Sequence, residues 1–224
     1  MLMLLVSATE FEISETAEWL NSTYRDNNAE KPELLISGIG QLQTAYALQK
    51  KLGTHRPDLI IQAGIGGTLS PENLGKSFVI LSEEIADLGA QEKGGFMNIF
   101  EMGLAGSDDF PFKHGKLPNP YLNLLGWTEL PQSDGITVNE IKPEKLNCIQ
   151  RNPRPVVESM EGAALHYVCL MEKIPFLQIR AISNIVGERD KTHWKLKKAI
   201  NDLNKSLISL IQKLEQADET LFRI

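Results

Sequence analysis

Asp58-Leu59-Ile60-Ile61-Gln62-Ala63-Gly64-Ile65-Gly66-Gly67 is a nearly continuous apolar run that empties into glycines. A strand with one wet face alternates apolar and polar residues, whereas a strand covered on both faces does not. Residues 58–63 therefore read as an interior strand of a mostly parallel sheet. The glycines that follow let backbone approach a ligand closely. Outward from this run, similar stretches at 2–6, 33–37, 77–81, 155–157 and 176–182 give further strands, and apolar periodicity gives helices over 10–20, 41–52, 160–171 and 192–216. The closing helix carries an apolar stripe of Leu196, Ile200, Leu203, Leu207, Leu210, Ile211 and Leu214, with Lys195, Lys197, Lys198 and Lys205 on its wet face. Strands alternating with helices mark the α/β class: a mixed, mostly parallel central sheet flanked by helices, in a single domain over residues 1–224. Residues 85–137 are less regular, rich in Gly, Pro, Phe and Met, and read as pocket walls.

The 23 Lys and Arg against 29 Asp and Glu leave a net charge of −6, which disfavours nucleic acid as a partner. Cys148 and Cys169 show neither C-x-x-C nor zinc-ligand spacing, so no disulfide framework and no metal site are expected. The apolar start at residues 1–6 lacks a basic leader and runs at once into Glu10, Glu12 and Glu15. No stretch reaches the roughly 18 apolar residues of a membrane span. A cytoplasmic protein with no membrane partner is expected. Gly75-Lys76-Ser77 imitates the end of a phosphate-binding loop, but Ser70 stands where the first glycine is required, and the segment precedes a strand. Neither Gly38-Ile39-Gly40 nor residues 64–67 complete a dinucleotide fingerprint, and His55, His114, His166 and His193 are scattered.

In an open α/β sheet, ligands bind beyond the carboxyl ends of the strands. Five segments fall there: Ser7-Ala8-Thr9-Glu10-Phe11-Glu12, Ser37-Gly38-Ile39-Gly40, Ala63-Gly64-Ile65-Gly66-Gly67, Glu158-Ser159-Met160-Glu161-Gly162-Ala163 and Arg180-Ala181-Ile182-Ser183-Asn184. In order and spacing they resemble the purine nucleoside phosphorylase and nucleosidase superfamily, which includes the methylthioadenosine/S-adenosylhomocysteine nucleosidases. The likeness runs from residue 1 to about 211, and its most diagnostic pieces are residues 160–164 and 180–184. Within the superfamily the chain is most similar to the futalosine hydrolases, on residues 100–104, 135–139 and 182–190. The resemblance implies a nucleoside phosphorylase-like fold and an N-ribosyl hydrolase that needs no metal or organic cofactor. It also implies cleavage of futalosine to hypoxanthine and dehypoxanthine futalosine in menaquinone biosynthesis, by a homodimer.

Breaking an N-glycosidic bond builds positive charge on ribose and negative charge on the departing purine, so a base must activate water on one side and the leaving group must be stabilised on the other. Glu12 suits the base, and residues 7–20 contain no Lys or Arg to hold phosphate, which favours hydrolysis over phosphorolysis. By the resemblance Glu161 takes the ribose hydroxyls, Met160 packs on the sugar, and Ser183 and Arg180 orient the carboxylates. Ile65 and Gly66 lie along the pocket wall, and Ile65 replaces a serine of the adenine nucleosidases. Thr137 and Val138 stand where those enzymes put an aromatic and an aliphatic residue beside the base.

Asn184 stands where the adenine-releasing enzymes carry Asp. An amide can donate to a 6-oxo group while its oxygen accepts from protonated nitrogen 7, so this position points to a 6-oxopurine. Phe96, Met97, Phe100 and Met102 suit an aryl group at the ribose 5′ end. An adenine-releasing nucleosidase, a phosphorylase and a catalytically silent nucleoside-binding module are the competing readings.

Overall fold

In the computed structural model, which describes residues 1–25, 30–142, 154–217 and 219–222, the apolar run at residues 58–63 belongs to a ten-residue strand, β3 (Leu59–Thr68). Gly64, Gly66 and Gly67 stay within it rather than forming a loop. On one edge, the first half of β3 pairs in parallel with β1 (Met3–Ser7), and β2 (Glu33–Ile36) adds in parallel beyond β1. On the other edge β10 (Phe176–Ile185) runs parallel to β3 from Ile60 to Thr68.

The sheet then closes on itself. β10 pairs antiparallel with β4 (Ser77–Ile85), β4 in parallel with β8 (Gln132–Thr137), and β8 in parallel with β9 (Val156–Ser159). β9 returns antiparallel to Gly67 and Thr68 of β3, so β1 and β9 occupy successive parts of one edge. The expectation of an open sheet is corrected: β3, β10, β4, β8 and β9 form a ring. Register shifts in β10, between Ile182 and Asn184, and in β4, between Ile80 and Glu83, supply the bending that closure needs. Glu158-Ser159 and residues 180–184 are consequently strand residues, not residues beyond strand ends.

Helices cover this sheet. α1 (Ser14–Thr23) follows a 3₁₀ turn at Glu10–Ile13, so the single helix expected over 10–20 is two pieces. α2 (Gln41–Leu52) has the bounds read from its periodicity and packs on α4 (Gly162–Glu172), which also covers β4 and β8. α5 (Leu196–Leu214) lies across β10, β3 and β4. It starts later than expected, because Asp190 caps a separate 3₁₀ turn at Lys191–His193 and the chain extends again at Trp194. Leu203, Leu207, Leu210, Ile211 and Leu214 of its stripe are buried, each worth about 1.5–3 kcal/mol, while Leu196 is half-buried and the four lysines are exposed.

The irregular middle holds more structure than its composition shows. β5 (Gly89–Glu92) and β6 (Gly95–Asn98) form a hairpin, β7 (Leu117–Pro118) pairs with β4, and α3 (Leu122–Trp127) is a short helix. β8 reads Gln-Ser-Asp-Gly-Ile-Thr, with no apolar run, yet all of it beyond Gln132 is buried. Side-chain hydrogen bonds replace apolar packing there: Ser133 Oγ donates to the Pro155 carbonyl at 2.7 Å, and Asp134 Oδ1 accepts from Ser82 Oγ at 3.1 Å. Cys169 is buried and free, and Cys148 lies outside the described residues. Among the described residues no helix is long and apolar enough to cross a membrane.

Candidate active site

The middle of β3 gathers two buried carboxylates. Glu12 stands in the 3₁₀ turn after β1, 6% exposed. Its Oε2 accepts from the Thr9 N–H at 3.0 Å, Thr9 Oγ1 at 2.9 Å and Ser7 Oγ at 3.2 Å, and its Oε1 accepts from the Ile65 N–H at 3.0 Å. Oε1 carries one donor against three on Oε2, so it keeps a direction for a further donor such as water. The turn is held from α5: Asn204 Nδ2 donates to the Glu12 carbonyl at 2.9 Å, while its Oδ1 accepts from the Thr16 N–H and hydroxyl at 2.9 and 2.6 Å. Asn204 is fully buried in the face that otherwise reads as an apolar stripe. Its one sequence signal is a polar residue beside Leu203 on that face.

Glu161 immediately precedes α4. Its Oε1 accepts from the Gly40 N–H at 3.0 Å, and its Oε2 forms an ion pair with Arg180 Nη1 at 3.3 Å. Arg180 is 1% exposed and also donates through Nη2 to Gln62 Oε1 at 2.8 Å. Its Nη1 lies 3.4 Å from the Ile65 carbonyl. The Ile65 backbone thus sits between the two acids, with its N–H on Glu12 and its C=O toward the Arg180–Glu161 pair. Ile65 contributes through its backbone, where a serine hydroxyl is missing. Gly64 is required: a Cβ there would come within 2.5 Å of Arg180 Nη1 and 3.0 Å of Glu12 Oε1. Gly66 is required too, since a Cβ would meet Val157 at 2.7 Å and the Glu158 carbonyl at 2.9 Å. Gln62 and Asn204 are the participants that motif reading passed over.

Asn184 is registered with Gly67, two residues beyond Ile65 along β3, and is half-buried. Its Oδ1 accepts from Ser183 Oγ at 2.8 Å and its Nδ2 donates to the Ile185 carbonyl at 3.0 Å, which fixes the amide's orientation. Ser183 Oγ is also 3.3 Å from the Gly66 carbonyl. Met160 is half-buried next to Glu161. The side chains of Thr137 and Val138 are both buried within the fold. Thr137 is fully buried, donates to Glu83 Oε2 at 2.9 Å and accepts from the Ala163 N–H at 2.8 Å. Val138 is buried beside Ala86, Ile136 and Val156, and its N–H is bound to the Ser159 carbonyl at 3.0 Å. Thr137 frames the start of α4, and the Val138 N–H ties the end of β8 to the end of β9.

The aromatic loop is split. Phe100 stacks edge-on against Phe112, with centroids 5.2 Å apart, in the wall of a cavity of about 240 Å³ that Glu84, Leu88 and His114 also line. This cavity touches neither Glu12, Glu161 nor Asn184. Phe96, Met97 and Met102 are exposed, so within one chain the four residues do not converge on the carboxylates.

Two carboxylates around a glycine-lined strand, one with a spare acceptor direction and one bound to a buried cation, can activate water beside a sugar and hold its hydroxyls. No family model matches the chain. It is 30% identical to the futalosine hydrolase of Streptomyces coelicolor over 82% of its own length and 80% of that protein. It is 28% identical to the futalosine hydrolase of Thermus thermophilus, over 79% and 80%. Among solved structures, the methylthioadenosine/S-adenosylhomocysteine nucleosidase of Neisseria meningitidis in complex with methylthio-immucillin-A matches with a TM-score of 0.75 at 18% identity, covering 94% of this chain and 98% of that one. The futalosine hydrolase of Helicobacter pylori matches at 0.71 and 14%, covering 94% and 97%. At these identities the structures speak for the fold alone, a mixed, mostly parallel nucleosidase-type sheet flanked by helices.

Proposed function

We propose, since this chain belongs to the futalosine hydrolase family and is an N-glycosidase hydrolase, that it cleaves futalosine to hypoxanthine and dehypoxanthine futalosine. Glu12 takes a proton from water through the free direction on Oε1, the hydroxide attacks the anomeric carbon as that carbon's bond to the purine nitrogen breaks, and a proton from solvent goes to nitrogen 7 of the departing base. Glu161 accepts the ribose hydroxyls and offsets the growing oxocarbenium charge, with Arg180 fixing its orientation. Asn184 donates to the 6-oxo group and accepts from nitrogen 7, while Met160 lies on the sugar. The observation that carries this reading is the Ile65 backbone, hydrogen-bonded on one side to Glu12 at 3.0 Å and facing the Arg180–Glu161 pair on the other, which supports a single site between the two acids.

The whole of residues 1–224 acts as one domain, in the cytoplasm and in menaquinone biosynthesis, without metal or organic cofactor. It acts as a homodimer. Exposed Ile39, Leu42 and Tyr46 on and before α2, next to Tyr167 and Met171 of the packed helix α4, support an apolar mating face. A second subunit would also bring aromatic residues that one chain alone keeps away from its carboxylates.

The test is incubation with futalosine, aminodeoxyfutalosine, methylthioadenosine and inosine in phosphate-free buffer, with the freed base identified. Hypoxanthine from futalosine, at a rate indifferent to added phosphate, is expected. Adenine release from the 6-amino substrates at a higher rate would replace this reading, and phosphate dependence would reject hydrolysis.

A further inference from the structure

Three strands and the start of α4 meet at a carboxyl group that the reaction above does not use. Glu83 on β4 has no exposed surface, and its hydrogen-bonding partners are Gln178 Nε2 at 2.7 Å and Thr137 Oγ1 at 2.9 Å. A Cβ on Gly135 or on Gly162 would overlap Glu83 Oε1, so both glycines clear room for this group. Gly162 follows Glu161, and Thr137 Oγ1 accepts from the N–H of Ala163. Glu83 is thereby tied to the turn from which Glu161 projects. Through Gln178 it is tied to β10, two residues from Arg180, the ion-pair partner of Glu161.

Two acceptors nearby lack donors: Gln178 Oε1 and His166 Nε2. Gln178 neighbours His166 without a hydrogen bond to it, and His166 Nδ1, 2.8 Å from the Leu117 carbonyl, must donate there. The neutral ring, which burial keeps neutral by pushing it down to about 4, then offers Nε2 as an acceptor. With a proton on Glu83 and the Gln178 amide turned end for end, both acceptors are satisfied. Glu83 donates to Gln178 Oε1, Gln178 Nε2 donates to His166 Nε2, and His166 Nδ1 donates to Leu117. An ionised Glu83 holds the amide the other way and strands both acceptors.

We infer that Glu83 is a positioning residue for Glu161, acting as a neutral acid at the head of the Gln178–His166 chain. The inference rests on the reading of Glu161 as the ribose carboxylate. Charged groups facing Glu83 are Arg180 on β10 and Glu161 ahead of α4; His166 on α4 is neutral, and β7 and β8 bring backbone and the Thr137 hydroxyl. Ionised, Glu83 would compete with Glu161 for Arg180 and repel Glu161. Desolvation pushes its carboxyl up to about 7, so the proton is held below neutrality.

Base release from futalosine is measured from about pH 6 to about pH 9 for the wild type, Glu83→Gln, Glu83→Ala and Glu161→Gln. Wild-type kcat/KM should fall about tenfold between pH 6 and pH 8, as the neutral fraction of such an acid does. Glu83→Gln donates to Gln178 Oε1 as the neutral acid does, so it should match the wild type near pH 6 and hold that level above pH 7. Glu83→Ala should lose about 10²-fold throughout, as misplaced catalytic groups do. A Glu83→Gln profile that superimposes on the wild type, or falls with Glu83→Ala, overturns the inference while an inactive Glu161→Gln leaves the site reading standing. A fully active Glu161→Gln overturns both. Infrared difference spectra between the pH extremes need no turnover: a protonated carboxylic acid stretch at low pH, absent from Glu83→Gln, is expected, and a wild type without it overturns the inference even if the variants fail to fold.

Discussion

Glu12, in the turn after β1, and Glu83, on β4, are both buried glutamates, yet their surroundings differ in one respect that decides their chemistry. Two backbone N–H groups, from Thr9 and Ile65, point at Glu12 and cannot turn away. Glu83 meets a hydroxyl and an amide, each able to reverse between donor and acceptor. Fixed donors preorganise a carboxylate for taking a proton from water, while reversible partners allow a carboxyl group to keep its own. The largest effect should therefore come from Glu12. Glu12→Gln, which keeps the shape but cannot act as base, should lower kcat for hypoxanthine release by about 10³-fold with little change in KM. A loss below about tenfold would put the base elsewhere and dissolve the contrast.

Stability should separate the two acids next. Glu83 is raised from the ordinary 4.5 to about 7, so between those values the folded chain binds a proton that the unfolded chain has released. Stability from this group is fully present below about pH 4.5 and is lost as pH rises through about 7, a fall of about 3 kcal/mol for the shift. The difference in unfolding free energy between wild type and Glu83→Gln, followed by denaturant titration across that window, should carry this slope. A difference that stays level across it would mean that Glu83 is not a neutral acid.

The ground between the acids is next. Gly64→Ala places a methyl group within 2.5 Å of Arg180 Nη1, forcing Arg180 and with it Glu161 to move. Its kcat/KM should fall about 10²-fold while the melting temperature shifts by a few degrees at most. Equal losses of activity and fold would show that Gly64 serves packing alone.

The legible part of this molecule was the part that apolar periodicity and motifs encode. β1, β3, α2 and the inner face of α5 could be read directly, because their buried positions are aliphatic. The five site segments are recognisable as a set, and residues 7–12 and 37–40 do follow the ends of β1 and β2, but residues 63–67, 158–159 and 180–184 lie within strands, since glycine-rich β3 and bulged β10 continue past the apolar runs. β8 is invisible in the sequence because its burial is satisfied by hydrogen bonds that Ser133 and Thr137 donate and Asp134 accepts, rather than by apolar side chains. The same reason hid Asn204 and Gln62. A polar residue whose partner lies far away in sequence looks like a surface residue until the fold brings the two together, and Asn204 meets Thr16 across 188 positions.

The smallest effect expected concerns base choice. Asn184 is oriented by Ser183 donating to its Oδ1, which leaves Nδ2 as the donor end toward a 6-oxo group. Asn184→Asp removes that obligatory donor, but a protonated carboxyl group can still supply one, so the loss should be partial. Hypoxanthine release from futalosine should drop about tenfold, and adenine release from aminodeoxyfutalosine should rise relative to it, because an ionised carboxylate accepts from the 6-amino group that an amide donor opposes. Measured as the ratio of kcat/KM for the two substrates, an unchanged ratio would remove Asn184 from recognition of the base while leaving the chemistry of Glu12 intact. Adding Ser183→Ala should shift the ratio further in the wild-type background than in the Asn184→Asp background, since the hydroxyl orients an amide whose two ends differ but a carboxyl group whose two oxygens are interchangeable.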